Sequence, residues 1–332
     1  MKSARICASR SPAPAEKGRA KTMRLEDFDL FAQVLKEQSG LVLTKDKVYL
    51  LESRLMPIAR KRNLKSLDDL AQALRTGRDT LLVKQITEAM TTNESSFFRD
   101  QKPFDQLKAV VLPEMMKARA DTKTIRIWSA ACSSGQEAYS IAITLKEMGV
   151  LAQGWRFEIV GTDLSEEMVE RARSGAYSQF EVQRGLPVQM LVKYFKQNGD
   201  KWEISPELRS MAQFRPYNLL TDLKPLGRFD IVFCRNVLIY FDQATKGRVL
   251  AGIAAQMPPD GRLYLGGAET VLGITDKFKL QGTHRGLYQL AEAPAGGAAS
   301  PGFGFGAGLG APKPAAAAPL PLAAGIKTTL TR

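Results

Sequence analysis

Four short stretches of this 332-residue chain place polar side chains at spacings that suit ligand chemistry. Thr91-Thr92-Asn93-Glu94-Ser95-Ser96-Phe97-Phe98-Arg99 gathers hydroxyls, an amide, a carboxylate and an arginine around two aromatics. Ser129-Ala130-Ala131-Cys132-Ser133-Ser134-Gly135 is a small-residue loop through which a ligand can approach backbone, and Gln136-Glu137 follows it. Asp163 closes the apolar run Phe157–Asp163, where an acid can accept hydrogen bonds from both hydroxyls of a ribose. Arg235-Asn236-Val237-Leu238-Ile239-Tyr240-Phe241 follows another apolar run, with Asn236 suited to a base or amino-acid moiety and Tyr240 to a reacting centre. Each stretch also has a plain local reading. Thr91 and Asn93 are good helix caps, and Asp163 with Ser165 can cap the helix that follows.

The first loop holds only Gly135, so it is not the G-x-G-x-x-G of a dinucleotide site, and pyrophosphate binding normally wants more glycine. Glu137 at the start of the next helix can instead bind an ammonium group. That favours the methionyl end of S-adenosylmethionine over a phosphate, and a methyltransferase over a dehydrogenase. With one histidine, His284, and three scattered cysteines, Cys7, Cys132 and Cys234, neither a metal site, a disulfide framework nor a His-based triad is expected.

These loops need a scaffold, and the patterning supplies one. Runs at 125–128, 157–163, 229–234 and 261–265 read as buried strands, with helices over 136–148 and 166–173. Strands alternating with helices argue for an α/β fold with a doubly wound, mostly parallel sheet, whose ligands bind beyond the carboxyl ends of the strands. Residues 177–216, rich in Tyr, Phe and Trp, read as a small antiparallel insertion. Before the sheet, Phe28, Phe31 and Leu35, then Leu50, Leu51, Leu55 and Ile58, then Leu67, Leu70 and Leu74 recur at helical spacing. In the helix around 48–62, Arg54, Lys61 and Arg62 should point outward with Arg60 near the boundary, as a solvated face or a docking face.

Composition bounds the rest. The formal net charge is +13, which raises nucleic acid, membrane surface or an acidic protein as partners. Residues 1–22 hold six Lys/Arg against one Glu in a segment without apolar periodicity, expected to be disordered. Residues 44–65 hold seven Lys/Arg against two acids. The Ala/Gly/Pro-rich 292–332 segment reads as a flexible tail. No run approaches the roughly 18 apolar residues of a membrane span, and the N-terminus lacks a signal-peptide h-region. A cytoplasmic, monomeric protein with no direct membrane insertion is expected.

Taken together, Thr92–Arg99, Trp128–Ser140 and Phe233–Phe241, with Gly161-Thr162-Asp163 and Asn218-Leu219-Leu220 in the same order, resemble the signature blocks of the CheR family, the chemotaxis receptor glutamate O-methyltransferases. The resemblance covers about 24–290. It implies an all-α receptor-docking domain (23–90), junction helices (91–124), and a class I, Rossmann-like methyltransferase domain (125–291) carrying a small β-subdomain. By position it implies S-adenosylmethionine contacts at Asn93, Ser95, Arg99, Glu137, Asp163, Asn218, Leu219, Arg235 and Asn236. For catalysis, Arg99 is expected to orient a carboxylate, the substrate's or the cofactor's, and Tyr240 to donate a hydrogen bond that aligns the substrate. Ser95, Gln136 and Ala138 stand where relatives more often carry Thr, Glu and Pro.

The implied reaction forms glutamate methyl esters and S-adenosylhomocysteine for sensory adaptation, with chemoreceptor methylation helices as partners. Arg54, Arg60, Lys61 and Arg62 would be the docking cations. The stretch Tyr194–Trp202 looks short beside relatives that grip a C-terminal receptor pentapeptide, so pentapeptide-independent binding is expected. Two other readings remain: a catalytically weak module that binds S-adenosylmethionine and docks receptors or response regulators, and a nucleic-acid methyltransferase. The absence of an Asn/Asp-Pro-Pro-Tyr/Phe motif speaks against the latter, and no nucleic-acid partner is expected.

Overall fold

The computed structural model describes residues 23–77 and 79–291. The segments 1–22 and 292–332, expected to be disordered, lie outside the described residues.

The first elements are helices: α1 (Leu25–Ser39), α2 (Val48–Lys61), α3 (Leu67–Arg75) and α4 (Thr80–Met90). Their boundaries follow from local chemistry. Glu26 and Asp27 occupy the first turn of α1, where the helix dipole favours negative charge. Gly40 ends that helix at φ +77°, a conformation that favours glycine. Ser66 and Asp69 form a reciprocal capping box at α3, and the Asp79 side chain caps α4. Phe31, Leu35, Leu51, Leu55, Leu70 and Ile86 make the shared core. Asp27 is buried within this bundle, hydrogen-bonded by Arg24 and Arg75. Burial alone would raise its carboxyl, but the two arginines outweigh that and hold it below the usual range.

After the 91–99 run, α5 (Lys102–Gln106) passes through a wider π-type turn over 107–111 into α6 (Leu112–Ala118). The chain then enters the sheet through β1 (Thr124–Ala130), α7 (Gln136–Glu147), β2 (Arg156–Asp163) and α8 (Glu166–Ser174). An insertion follows: β3 (Ala176–Ser178), α9 (Gln179–Gln183), α10 (Val188–Tyr194), the hairpin β4 (Phe195–Asn198) and β5 (Lys201–Ile204), and α11 (Pro206–Ser210). The main sheet resumes with β6 (Ala212–Pro216), β7 (Ile231–Cys234), α12 (Gln243–Ala255), β8 (Arg262–Leu265), β9 (Phe278–Leu280) and β10 (Leu287–Leu290).

Strand order in the seven-stranded sheet is β6-β2-β1-β7-β8-β10-β9. β1 pairs in parallel with β2 on one side and β7 on the other, while β10 runs antiparallel to β8 and β9. Alternation along β1 sends Ile125 and Ile127 to one face, against residues of α5, α6 and α7, and Trp128 and Ala130 to the other, against α12. Because the chain leaves β1 for strands on both sides, the order reverses there, and the carboxyl ends of β1, β2 and β7 frame a crevice.

Two sequence expectations need correction. The antiparallel insertion is shorter than 177–216: Ala212–Pro216 pairs in parallel with β2 as the edge of the main sheet. Its three strands, in the order β3-β5-β4, share the segment with three short helices. The 91–99 run, in turn, starts no helix. Thr91 ends α4 in an extended conformation, its hydroxyl donating to the Glu88 carbonyl.

Candidate active site

The crevice beyond β1, β2 and β7 is a cleft whose walls come from both the helical and the sheet-bearing parts of the chain. Asn93, Ser95, Arg99, Glu137, Asp163, Asn218, Leu219, Arg235, Asn236 and Tyr240 all line it. The structure thus brings together every residue that the sequence assigned to cofactor or catalysis. The four docking cations lie elsewhere.

The 91–99 segment is held from below. Phe97 is buried edge-on against Tyr177 and Phe195 of the insertion, at ring-centroid distances of 5.0 and 5.5 Å. Phe98 packs edge-on against Phe104 at 5.2 Å, and its N–H donates to Ser140 Oγ at 2.9 Å. Phe98 and Asp100 take φ values of +49° and +58°, so the chain turns sharply on either side of Arg99. That arginine donates to the Glu94 carbonyl at 2.9 Å, which folds it over the rim of the cleft.

Below it, one guanidinium ties three walls together. Arg235, its side chain 2% exposed, donates to Glu137 Oε2 at 2.9 Å, to Asp100 Oδ2 at 2.8 Å and to the Arg99 carbonyl at 2.8 Å. It also lies over the Phe104 ring. Both terminal nitrogens of Arg235 thus bond the protein and hold the site in shape. Its buried Nε has no partner among the described residues, and Arg235 still lines the cleft where cofactor contact was expected. Glu137 also accepts from Ser129 Oγ at 2.8 Å. Each of its oxygens has one partner, leaving acceptor capacity for a ligand ammonium.

Asp163 takes part in the local turn and also lines the cleft. Oδ2 accepts the Ser133 N–H at 2.7 Å and Oδ1 the Ser165 N–H at 3.0 Å, while Ser165 caps α8. Burial pushes the Asp163 carboxyl up, against the downward pull of those N–H bonds. Between β1 and α7, Ala131, Ser133 and Gly135 all have positive φ, curling the loop so that Asp163 can reach it. Ser133 Oγ donates to the Asn93 carbonyl at 2.8 Å and binds the loop to the 91–99 segment. The opposite rim is formed by Leu219 and Asn218, whose amide donates to the Gln38 carbonyl at 2.6 Å.

Sequence reasoning missed the contribution of the helical part. Ser39, the last residue of α1, and Leu41, in the loop that follows, line the cleft. Val42 N–H donates to the Tyr240 carbonyl at 2.9 Å, and Lys36 pairs with Asp242 at 2.9 Å. A second hollow shares Leu41, Thr92, Tyr240 and Phe241 with the cleft and continues to Lys47, Leu50 and Arg54.

Two docking cations depart from expectation. Arg54 does not point outward: it donates to the Met90 and Thr91 carbonyls, both at 2.8 Å, satisfying acceptors left open at the end of α4. Arg62 pairs with Asp79 at 2.5 Å and also donates to Gln85. Arg60 and Lys61 are the exposed members of the row.

The donor set suits S-adenosylmethionine. Two carboxylates with spare lone pairs face one cleft, apolar Leu164, Leu219 and Val237 line it too, and no Lys or Arg comes from the 129–135 loop to meet a phosphate. The fold and this cleft define a class I S-adenosylmethionine-dependent methyltransferase. The family descriptions of the CheR methyltransferase all-alpha domain and SAM binding domain match residues 26–91 and 93–287. The chemotaxis protein methyltransferase 1 of Pseudomonas aeruginosa is 42% identical over 260 residues, covering 76% of this chain and 93% of that protein. The protein of the same name from Vibrio cholerae is 41% identical, covering 78% and 94%, and the chemotaxis protein methyltransferase of Borreliella burgdorferi is 31% identical, covering 75% and 89%. The chain belongs to the CheR methyltransferase family.

Proposed function

We propose that the protein methylates glutamate side chains of chemoreceptors, forming methyl esters and S-adenosylhomocysteine for sensory adaptation in the cytoplasm. The observation that carries this reading is the placement of Arg99 and Tyr240 on the same cleft as the acidic pair Glu137 and Asp163, with Tyr240 also lining the hollow beside α2. S-adenosylmethionine, when bound, supplies a methyl group made electrophilic by its sulfonium.

The protein's part is chiefly to hold and aim. Glu137 takes the ammonium, Asp163 the ribose hydroxyls, and Asn93, Ser95, Asn218, Leu219 and Asn236 complete the cofactor's enclosure. An acceptor glutamate has an ordinary pKa of about 4.3 and is ionised at neutral pH, so no general base is needed. The chain's single histidine, His284, is not among the cleft residues. Arg99 orients a carboxylate with its fork, and the Tyr240 hydroxyl donates to the acceptor as it enters along the hollow. Arg60 and Lys61 attract the acidic methylation helix and raise its encounter rate. The hairpin over 195–204 is short, which supports binding without a receptor pentapeptide.

Labelled S-adenosylmethionine and receptor-bearing membranes should yield label that mild base releases as methanol; label stable to base refutes the ester. Arg99→Lys keeps the charge but loses the fork, so kcat should fall about tenfold or more. Unchanged kcat and KM would remove Arg99 from the mechanism. Arg60→Glu with Lys61→Glu should raise KM for receptor and leave cofactor affinity intact, since neither residue lines the cleft.

A further inference from the structure

Glu269 lies outside the cleft, in the turn after β8, yet it gathers four backbone amides. Its Oε2 accepts from Gly266 N at 2.7 Å and Asn236 N at 2.8 Å. Its Oε1 accepts from Val237 N at 2.9 Å and Ile239 N at 3.3 Å. Three of these donors belong to the loop that carries Asn236 and Tyr240. Within that loop, Asn236 sits at φ +59°, a conformation that a non-glycine residue holds only when its surroundings enforce it. Gly266 leaves the necessary room, since a Cβ there would lie 2.8 Å from both Asn236 Nδ2 and Glu269 Oε2. Every partner is a donor, so the geometry wants an acceptor-only side chain, and a carboxylate is one where an amide is not.

We propose that Glu269 is a positioning residue for methyl transfer: its carboxylate fixes the 236–239 backbone and thereby sets the aim of Tyr240 and the hold of Asn236 on the cofactor. The inference rests on the role given to Tyr240 above. A misplacement of about 1 Å at a reacting centre costs on the order of a hundredfold in rate, whereas a group that only stabilises the fold leaves the rate per folded molecule intact.

The test compares wild type, Glu269→Gln, Tyr240→Phe and the double variant in single-turnover methylation at saturating S-adenosylmethionine, alongside hydrogen exchange of the 236, 237 and 239 amides. Glu269→Gln should slow methyl transfer about 10- to 100-fold and speed exchange in that loop, with β1 amides unchanged. In the Tyr240→Phe background the same change should cost far less, because the two residues act as one unit. An unchanged rate, or the full loss repeated in the Tyr240→Phe background, overturns the inference. If Glu269→Gln loosens β1 as well, Glu269→Asp takes its place, and unchanged rate and loop exchange there overturn it equally. If wild type forms no base-labile ester, the acceptor reading falls. Glu269 is then judged on loop exchange and S-adenosylhomocysteine affinity: weakening of both in Glu269→Gln supports its role, and no change in either refutes it.

Discussion

Arg235→Met removes the one cation that binds three walls of the cleft. In the wild type the guanidinium serves Glu137, whose side chain is 13% exposed, Asp100, 54% exposed, and the Arg99 carbonyl. Asp100 is well solvated and its share is small, about 0–1 kcal/mol. Glu137 is different, because it stays charged, nearly buried and without its counter-ion. Removing one partner of such a pair costs about 3–5 kcal/mol, much of it the desolvation of the group left behind. The Met side chain can refill the space over Phe104 but offers no donor. Urea unfolding of the variant should therefore show a loss of about 3–5 kcal/mol, with weaker S-adenosylhomocysteine binding by calorimetry. Adding Glu137→Gln to Arg235→Met should recover part of the stability, since the orphaned charge is gone. A loss below about 1 kcal/mol would place the pair in the range of exposed ion pairs and refute the argument that Glu137 depends on Arg235.

Asp27→Asn should change how the protein responds to acid. The folded carboxyl is held below its ordinary value by Arg24 and Arg75 despite burial, so its contribution is fully present above the unfolded pKa of about 3.9. It is lost as pH falls through the depressed folded value, so the stability gap between wild type and variant should close on acidification; a gap independent of pH refutes the linkage. Gly185→Ala should damage the 91–99 segment from a distance: Gly185 has φ +89°, and a Cβ would lie 2.0 Å from the Phe97 carbonyl oxygen. A thermal shift worth about 1–3 kcal/mol with reduced turnover is expected, and wild-type stability and activity in this variant would contradict the contact.

What was legible in the sequence tracks how local each determinant is. β2, α7 and α8 fall close to their expected bounds because apolar runs, Ser165 as a cap and Gly135 as a loop end are written within a few residues. Asp163, Glu137 and Asn236 were found because the carboxyl ends of strands are where open α/β sheets place ligands. β6 was assigned to the insertion because Ala212-Gln213-Phe214-Arg215-Pro216 is short, half-polar and ends in proline. Only its register with β2 reveals its place. Arg54 was turned outward by helical periodicity alone, and the carbonyls it meets arrive from α4. Ser39 and Leu41 bond only near neighbours in sequence, and it is the fold that brings them to the cleft. Glu269 had no local signal because three of its four partners are backbone amides some 30 residues away, and backbone donors look alike at every position.

The grip of Val42 on Tyr240 bears on how this protein can be re-engineered. Gly40 packs so near the Phe241 ring that an added Cβ would lie 3.0 Å from it, and the Lys36–Asp242 pair closes the same seam. Residues 36–42 therefore belong functionally to the methyl-transfer half, although they sit in the helical one. A chimera built to redirect substrate choice should take α2 and α3 from the donor protein and keep the recipient's own 36–42 segment, the end of α1 and the residues after it. A fusion cut at the nominal domain border near residue 91 would instead import a foreign wall into the cofactor cleft.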